Sequence, residues 1–283
     1  MNKIELQHIS KSYGETTALE DINLVLEENK IYGLLGRNGA GKTTLLNLIA
    51  NRIFPDQGTI LVNEKSTVKN DMAQSPIYLT SEKNLFPSRM MVCDGFRLTG
   101  TFYRNFDLDF ANQAAQLFEL DRYKKIRNLS TGYVSIFKMI VALSTNAPFI
   151  LLDEPTLGVD AEHRELFYQL LIERYAKQPS CVILSTHLIE EAANILEEVV
   201  ILKEGHMIRN QSCESLLEQG YAITGAAGEI DHYIQDKQVL GIDTLGNLKA
   251  AYILGAVDTE KIPDVLEISK LDLQKLFVKL TNV

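Results

Sequence analysis

Apolar positions in the first fifty residues follow two different periods. The stretches KIELQHI and INLVLE are strand-like in pattern. IYGLLG (residues 31–36) is a continuous apolar run that ends in glycine, and the apolar residues of TTLLNLIANRI are spaced as in a helix. The pattern predicts two strands, followed by a unit made of a strand, a loop and a helix.

Helical and strand-like patterns continue to about residue 210. Residues from about 91 to 128 are mostly helical in pattern and predict an inserted helical layer. Strand-like runs return at FILLDE, CVILST and VVILKEG, with helical stretches such as AEHRELFYQLLIERYA between them. Strands that alternate with helices predict an α/β fold with a mainly parallel sheet covered on both faces.

A different pattern begins after Gly205. Short alternating runs are interrupted by glycines, and KLDLQKLFVKLT near the end predicts an amphipathic helix. We expect a small α+β domain over residues 215–283, after a larger domain over residues 1–214. This domain could sense a ligand, brace a dimer or only extend the fold. The last is favoured, because it contains no ligand motif and enough apolar positions for a small core: Ile223, Leu240, Ile242, Ala251, Ile253 and Leu254.

Composition places the chain among ordinary globular proteins. It has 283 residues, 46% of them hydrophobic, and no apolar run approaches the roughly 18 residues that a membrane-spanning helix needs. The stretch MNKIELQHIS lacks the apolar core of a signal peptide, so we expect a cytoplasmic protein. A net charge of −9 argues against a nucleic-acid partner. The widely spaced cysteines fit neither a disulfide framework nor a metal site: Cys93, Cys181 and Cys213.

Residues 36–44, GRNGAGKTT, match the pattern G-x-x-x-x-G-K-[ST] between a predicted strand and a predicted helix. Glycines in such a loop let backbone N–H groups turn toward phosphate oxygens, and the helix N-terminus adds a positive partial charge. Lys42 can then bridge the outer phosphates, and Thr43 offers a hydroxyl to Mg²⁺. The sequence therefore predicts a nucleotide site at this loop.

A second group of polar residues follows the apolar run FILLDE. Asp153 and Glu154 come at the C-terminal end of this predicted strand, where ligands bind in parallel sheets. Two acids after an apolar run can also be solvated surface residues. With a phosphate loop upstream, we expect Asp153 to hold Mg²⁺ and Glu154 to polarise the attacking water.

The order of these motifs, together with four others, resembles the nucleotide-binding subunit of ATP-binding cassette (ABC) transporters across about residues 3–210. LSTG (129–132) matches the family's signature motif, LGVD (157–160) its D-loop, and the histidine of LSTH its switch histidine. The tyrosine of KSYG stands where the family packs an aromatic ring on adenine. The motif wording and the appended tail are most similar to the ATPases of bacterial exporters of antibiotics or peptides.

The resemblance implies a P-loop NTPase core with an N-terminal antiparallel β subdomain, a helical subdomain at about residues 88–145 and a small C-terminal α+β appendage. It implies an ATPase that uses ATP and Mg²⁺, with catalytic residues Glu154 and His187 and metal ligands Thr43, Asp153 and Ser81. The residues that it implies for nucleotide binding are Tyr13, Gly36, Asn38, Gly39, Ala40, Gly41, Lys42, Thr43, Thr44, Ser130, Thr131, Gly132 and Asp160. The other histidines have no motif context and receive no role: His8, His163, His206 and His232.

The resemblance also implies partners. Two nucleotide-binding domains pack head to tail, so that the signature of one caps the ATP on the phosphate loop of the other. The partner is a copy of this chain or a related subunit, and a transmembrane permease subunit holds the pair at the inner face of the membrane. Ser130 can serve as a helix N-cap at the same time. An importer ATPase and a soluble regulatory ATPase are the alternatives.

Residues 81–105 are expected to line a groove that grips the membrane subunit. The apolar residues of this segment could also be plain core: Phe86, Met90, Met91, Phe96 and Phe102.

Three positions depart from the family's pattern. Thr131 replaces a second glycine of the signature, and Tyr133 replaces a common glutamine. In the stretch SPIYLTSEKNLFP, the glutamine that the family places near Mg²⁺ falls on Ser81, next to Glu82. We therefore expect Ser81 or Glu82 to reach the metal through water.

Overall fold

The computed structural model describes residues 2–255, 263 and 265–282. These residues form two compact units. The first comprises the described residues up to Leu196 together with Val200–Asn210, and the second comprises Glu197–Val199 and the described residues from Gln211 onward. Residues 256–262, 264 and 283 of the predicted C-terminal domain lie outside the described part. Among the described helices, none has the length and apolar character that a membrane crossing requires.

An antiparallel sheet contains the first two strands of the chain. Its order is β2-β1-β4-β5. The alternation seen in the sequence places Ile4, Leu6 and Ile9 of β1 in the core, so the prediction of an N-terminal antiparallel β subdomain is confirmed. The strands are β1 (Lys3–Tyr13), β2 (Thr16–Glu27), β4 (Gln57–Val62) and β5 (Lys65–Ser66).

A six-stranded sheet carries the phosphate loop and the acidic pair. Its order is β10-β9-β3-β8-β7-β6, and the β3–β8, β8–β7 and β7–β6 pairs are parallel. Every residue of β3, β7 and β8 is buried, as expected for strands covered on both faces. The strands are β3 (Ile31–Gly36), β6 (Ile77–Thr80), β7 (Phe149–Asp153), β8 (Cys181–Ser185), β9 (Glu198–Lys203) and β10 (His206–Ser212).

The helices of the first unit include the predicted helical layer. They are α1 (Lys42–Ile49), α2 (Asp71–Gln74), α3 (Val92–Phe102), α4 (Leu108–Leu117), α5 (Thr131–Ser144), α6 (Ala161–Lys177) and α7 (Ile189–Ala192). Phe96 of α3 is fully buried and packs on Phe137 of α5, with ring centroids 5.7 Å apart. Phe96 is therefore core, which is the second of the two alternatives given for this segment, and it cannot grip a partner.

The second unit is an antiparallel sheet with helices, ordered β12-β13-β11-β14. Its elements are α8 (Cys213–Glu218), β11 (Gly220–Ala226), α9 (Ala227–Tyr233), β12 (Gln238–Leu245), β13 (Leu248–Leu254), β14 (Glu267–Lys270) and α10 (Leu273–Asn282). Ile223, Ala251 and Ile253 lie in its core as expected. Ile242 was expected there too, but on the edge strand β12 it is 42% exposed, although it pairs with the buried Ala251 of β13.

Candidate nucleotide-binding site

The loop between β3 and α1 needs its glycines for two physical reasons. Gly39 and Gly41 have φ angles of 83° and 105°, which side-chain-bearing residues rarely adopt. A Cβ on Gly41 would lie 2.6 Å from the carbonyl oxygen of Ala18. No side chain caps α1 at Gly41, so the first amides of this helix remain available to an anion.

Lys42 is buried at the start of α1. Its Nζ donates to the carbonyl oxygen of Gly36 at 2.6 Å and to that of Arg37 at 3.4 Å. Burial lowers the pKa of Lys42, and the carboxylates of Glu154 and Asp153 act in the opposite direction. The loop thus holds the ammonium group beside two acids that arrive from another strand.

These residues line one pocket of about 690 Å³, a size typical of small-molecule sites. Most predicted nucleotide and catalytic residues line it: Tyr13, Asn38, Gly39, Ala40, Gly41, Lys42, Thr43, Thr44, Asp153, Glu154 and His187. Glu82, expected as the alternative to Ser81 at the metal, lines it too, and two residues line it that the sequence did not suggest: Ala18 and Leu157. The structure therefore brings the phosphate loop, the acidic pair and the predicted switch histidine together.

Asp153 lies at the bottom of this pocket, at the end of β7. It is only 5% exposed, and its Oδ1 has no hydrogen-bond partner among the described residues. Burial raises the pKa of Asp153, while a hydrogen bond with the Thr43 side chain acts in the opposite direction. A buried carboxylate with a free oxygen beside a threonine hydroxyl is a donor set that suits a hard divalent cation such as Mg²⁺.

Glu154 and His187 are in direct contact. Nδ1 of His187 lies 2.7 Å from Oε2 of Glu154, and the backbone N–H of His187 donates to the same oxygen at 3.3 Å. Glu154 has a φ of 47°, a left-handed conformation that its N–H supports by donating to the carbonyl oxygen of Ser185 at 2.9 Å. The carboxylate of Glu154 and the imidazole of His187, which follow β7 and β8, are thus held together in the pocket.

The predicted signature lies outside this pocket. Ser130 caps α5 by accepting a hydrogen bond from the Tyr133 N–H at 3.3 Å, which confirms its capping role. A Cβ on Gly132 would lie 2.6 Å from the Gly158 carbonyl oxygen, so signature and D-loop backbones are in close contact. Asp160 caps α6 by accepting from the His163 N–H at 3.0 Å. None of the signature residues or Asp160 is among the described residues that line the pocket.

Ser81 and Glu82 face different spaces. Glu82 lines the nucleotide pocket, whereas Ser81 lines a separate groove, where its Oγ accepts from Arg52 at 3.3 Å. Glu82 therefore fits the expected metal contact better than Ser81 does. Sequence reasoning also missed Lys138, which donates to the carbonyl oxygens of both residues. A lysine inside the apolar run SIFKMIVAL was the available signal.

Comparison with known proteins agrees with this geometry. Residues 19–157 match the family described as ABC transporter. The ABC transporter ATP-binding protein YtrB of Bacillus subtilis (strain 168) is 30% identical over 244 residues, which is 86% of this chain and 84% of that protein. The chain belongs to the ABC transporter ATP-binding proteins. It is therefore an ATPase subunit, and the predicted family, fold class and activity are confirmed.

Other ABC relatives differ in the transport direction that their names give. Nod factor export ATP-binding protein I of Rhizobium leguminosarum bv. viciae is 27% identical, over 76% of this chain and 71% of that protein. Taurine import ATP-binding protein TauB of Escherichia coli O6:K15:H31 is 34% identical, over 71% and 80%. A solved dimeric bacterial ABC transporter cassette is 25% identical, with a TM-score of 0.65 over 74% of this chain and 98% of that one.

Proposed function

We propose that this subunit hydrolyses ATP at composite sites, each formed by the pocket of one subunit and the signature of another. The observation that carries the proposal is the separation, within one chain, of Ser130 and Gly132 from the pocket around Lys42. The backbone N–H groups of the signature lie at the N-terminus of α5, and such a helix end binds phosphate well. Here the phosphate would belong to a nucleotide held by a second subunit. A dimeric cassette among the solved relatives supports this arrangement.

Within each site we assign roles by chemistry and position. Lys42 and the loop amides bind the outer phosphates, and the Tyr13 ring, 52% exposed, stacks on adenine. Thr43 and Asp153 would hold Mg²⁺, which neutralises phosphate charge when bound. Glu154 accepts a proton from the attacking water.

His187 orients the general base. A carboxylate can only accept hydrogen bonds, so Nδ1 of His187 carries the proton in its 2.7 Å contact with Glu154. Together with the backbone N–H of the same residue, this contact fixes one carboxylate oxygen and leaves the other for water. Orientation of a base by a neighbouring group is the logic of other hydrolytic sites.

The groove beside Ser81 is the proposed seat of a helix from a transmembrane permease subunit at the inner face of the membrane. It measures about 450 Å³ and combines exposed Leu85 and Phe102 with the cations of Arg52 and Lys83. Met90 and Met91, which the sequence suggested as gripping residues, are not among the described residues that line it.

We propose export as the direction of transport. The motif wording, the appended unit and a Nod factor export relative support it. Import is a second candidate, favoured by the taurine import relative at 34% identity. The neighbouring reading frames test this choice: a membrane subunit without a secreted solute-binding protein agrees with export, and the presence of such a binding protein contradicts it.

A trapped dimer tests the composite site. Glu154→Gln keeps the binding residues but removes the base, so with ATP and Mg²⁺ the variant should elute as a dimer in size-exclusion chromatography. Adding Ser130→Ala should weaken the dimer, whereas adding Thr101→Ala, an exposed position on α3, should not. A Glu154→Gln variant that stays monomeric with saturating ATP, or that hydrolyses ATP at the parent rate, contradicts the proposal.

A further inference from the structure

Lys138 is a buried cation in the middle of α5. It is 8% exposed and has apolar neighbours on both sides in the run SIFKMIVAL. An ammonium group removed from water destabilises a protein unless polar partners replace the lost hydration. A methionine or leucine would fill this position at lower cost, so the partners of Lys138 indicate what the charge does.

Those partners are two consecutive backbone carbonyls. Nζ of Lys138 donates to the carbonyl oxygen of Ser81 at 2.8 Å and to that of Glu82 at 3.0 Å. Burial lowers the pKa of Lys138, and the nearby charges of Glu82 and Asp153 act in the opposite direction. The ammonium group therefore lies close to the pocket, and both of these hydrogen bonds go to the turn that bounds it.

The Ser81–Glu82 turn separates two spaces. Glu82 lines the nucleotide pocket together with Lys42 and Asp153, and Ser81 and Lys138 line the groove on the other side. A donor that holds both carbonyls of this turn fixes the direction in which the Glu82 side chain leaves the backbone.

The same helix carries the signature. Ser130 caps α5 eight residues before Lys138, which places the two about 12 Å apart along the helix axis. One further contact joins α5 to the segment after the turn, because the rings of Phe86 and Phe137 pack edge to face at 4.8 Å. The ring contact remains when Lys138 is replaced, so substitution should release the turn without detaching the segment.

We propose that Lys138 is a positioning residue for ATP hydrolysis, whose ammonium group holds the Ser81–Glu82 turn against α5 and so keeps the Glu82 carboxylate on the wall of the nucleotide pocket. The inference rests on the proposed function of that pocket. This chain has serine at position 81, where the family has a glutamine near Mg²⁺. On this wall of the nucleotide pocket, the polar side chain is instead that of Glu82, which Lys138 holds in place.

The test compares Lys138→Met with Lys138→Arg and with a matched control, Lys124→Met, which makes the same change at an exposed position. For Lys138→Met we expect kcat for ATP hydrolysis to fall about 10- to 100-fold, as for other residues that orient a catalytic group. The KM for ATP should stay within about twofold, because Lys42 and the loop are untouched. Lys138→Arg, which keeps a cationic donor, should recover most of the lost kcat.

Two further readouts separate positioning from general damage. Hydrogen exchange of peptides covering residues 80–87, measured without nucleotide, should speed up in Lys138→Met and not in Lys124→Met. The double variant Lys138→Met with Glu82→Gln should be no slower than the slower single variant, because both changes remove the same arrangement. If Lys138→Met does not fold, the same measurements are made on Lys138→Gln in its place.

Three outcomes overturn the inference: a kcat for Lys138→Met equal to that of Lys124→Met, unchanged exchange in residues 80–87, or losses in the double variant that multiply. A parent protein that does not hydrolyse ATP at all would instead overturn the proposed function, so the two failures are distinguishable.

Discussion

Nδ1 of His163 lies 2.7 Å from Oδ2 of Asp160, one helical turn earlier in the chain. The His163 ring also stacks on Phe118, with centroids 5.8 Å apart, and meets the edge of Tyr133 at 6.1 Å. Tyr133 belongs to the first turn of α5, directly after the signature. His163 therefore joins the D-loop to the signature helix, although its sequence context suggested no role.

Replacing His163 by alanine tests this link. Hydrogen bonds from the backbone N–H and the side chain of His163 hold the pKa of Asp160 below its ordinary value. A lowered acid pKa contributes stability above the unfolded pKa near 3.8, which is lost as pH falls through the folded value. His163→Ala keeps only the backbone bond, so acid unfolding, followed by circular dichroism, should begin at a higher pH. The control His232→Ala, in the second unit, should leave the pH at which acid unfolding begins unchanged.

Asp153→Asn should have opposite effects on stability and on activity. Burial raises the pKa of Asp153, so the stability linked to its protonated form is present below about pH 3.8 and is lost as pH rises through the folded pKa. The neutral amide avoids that loss, so at pH 7.5 in EDTA the Tm should exceed that of the parent, by a margin that shrinks when the pH is lowered to 4, close to the unfolded pKa. ATPase activity should fall by about 100-fold or more, because a metal ligand is removed. An unchanged Tm difference between the two pH values contradicts the account of Asp153.

Gly132→Ala should damage the contact between signature and D-loop. The new Cβ would lie 2.6 Å from the Gly158 carbonyl oxygen, so one backbone must move. We expect a destabilisation of about 1–3 kcal/mol in urea unfolding and loss of ATP-dependent dimerisation of a Glu154→Gln background. Gly228→Ala is the matched control, because a Cβ there meets nothing within 4 Å and alanine favours helix α9. Equal stability of the two variants would refute the close contact.

Phe102→Ser addresses the groove. The ring is 76% exposed, so its loss should leave the Tm within about 2 °C of the parent, which corresponds to a change below about 0.5 kcal/mol. Co-purification of the membrane subunit with an affinity-tagged chain should fall several-fold, because an apolar anchor of the groove is lost. Tyr123→Ser, at a ring 70% exposed outside the groove, should not reduce co-purification. Equal recovery with both variants would argue against this groove as the docking site.

Sequence reasoning predicted those elements whose pattern is local. The apolar runs of β3, β7 and β8, and the glycine loop between β3 and α1, are short stretches in which neighbours along the chain determine the structure. Parallel strands then bring their carboxyl ends to one edge, so the meeting of Lys42, Asp153 and His187 follows from topology.

Features that depend on distant residues were missed. Lys138 contacts a turn 56 residues earlier in the chain. Which of Ser81 and Glu82 can approach the metal depends on the side of that turn to which each side chain points. Ile242 is apolar in an alternating strand, but that strand is at the edge of its sheet and Ile242 is 42% exposed. Alignment of motifs gives neither orientation nor edge position.

Ser81 lines the groove, and the next residue, Glu82, lines the nucleotide pocket. A molecule seated in the groove touches the same backbone that bounds the nucleotide. The two spaces therefore share one stretch of main chain, so a displacement of Ser81 by a docked molecule would also displace Glu82 in the nucleotide pocket.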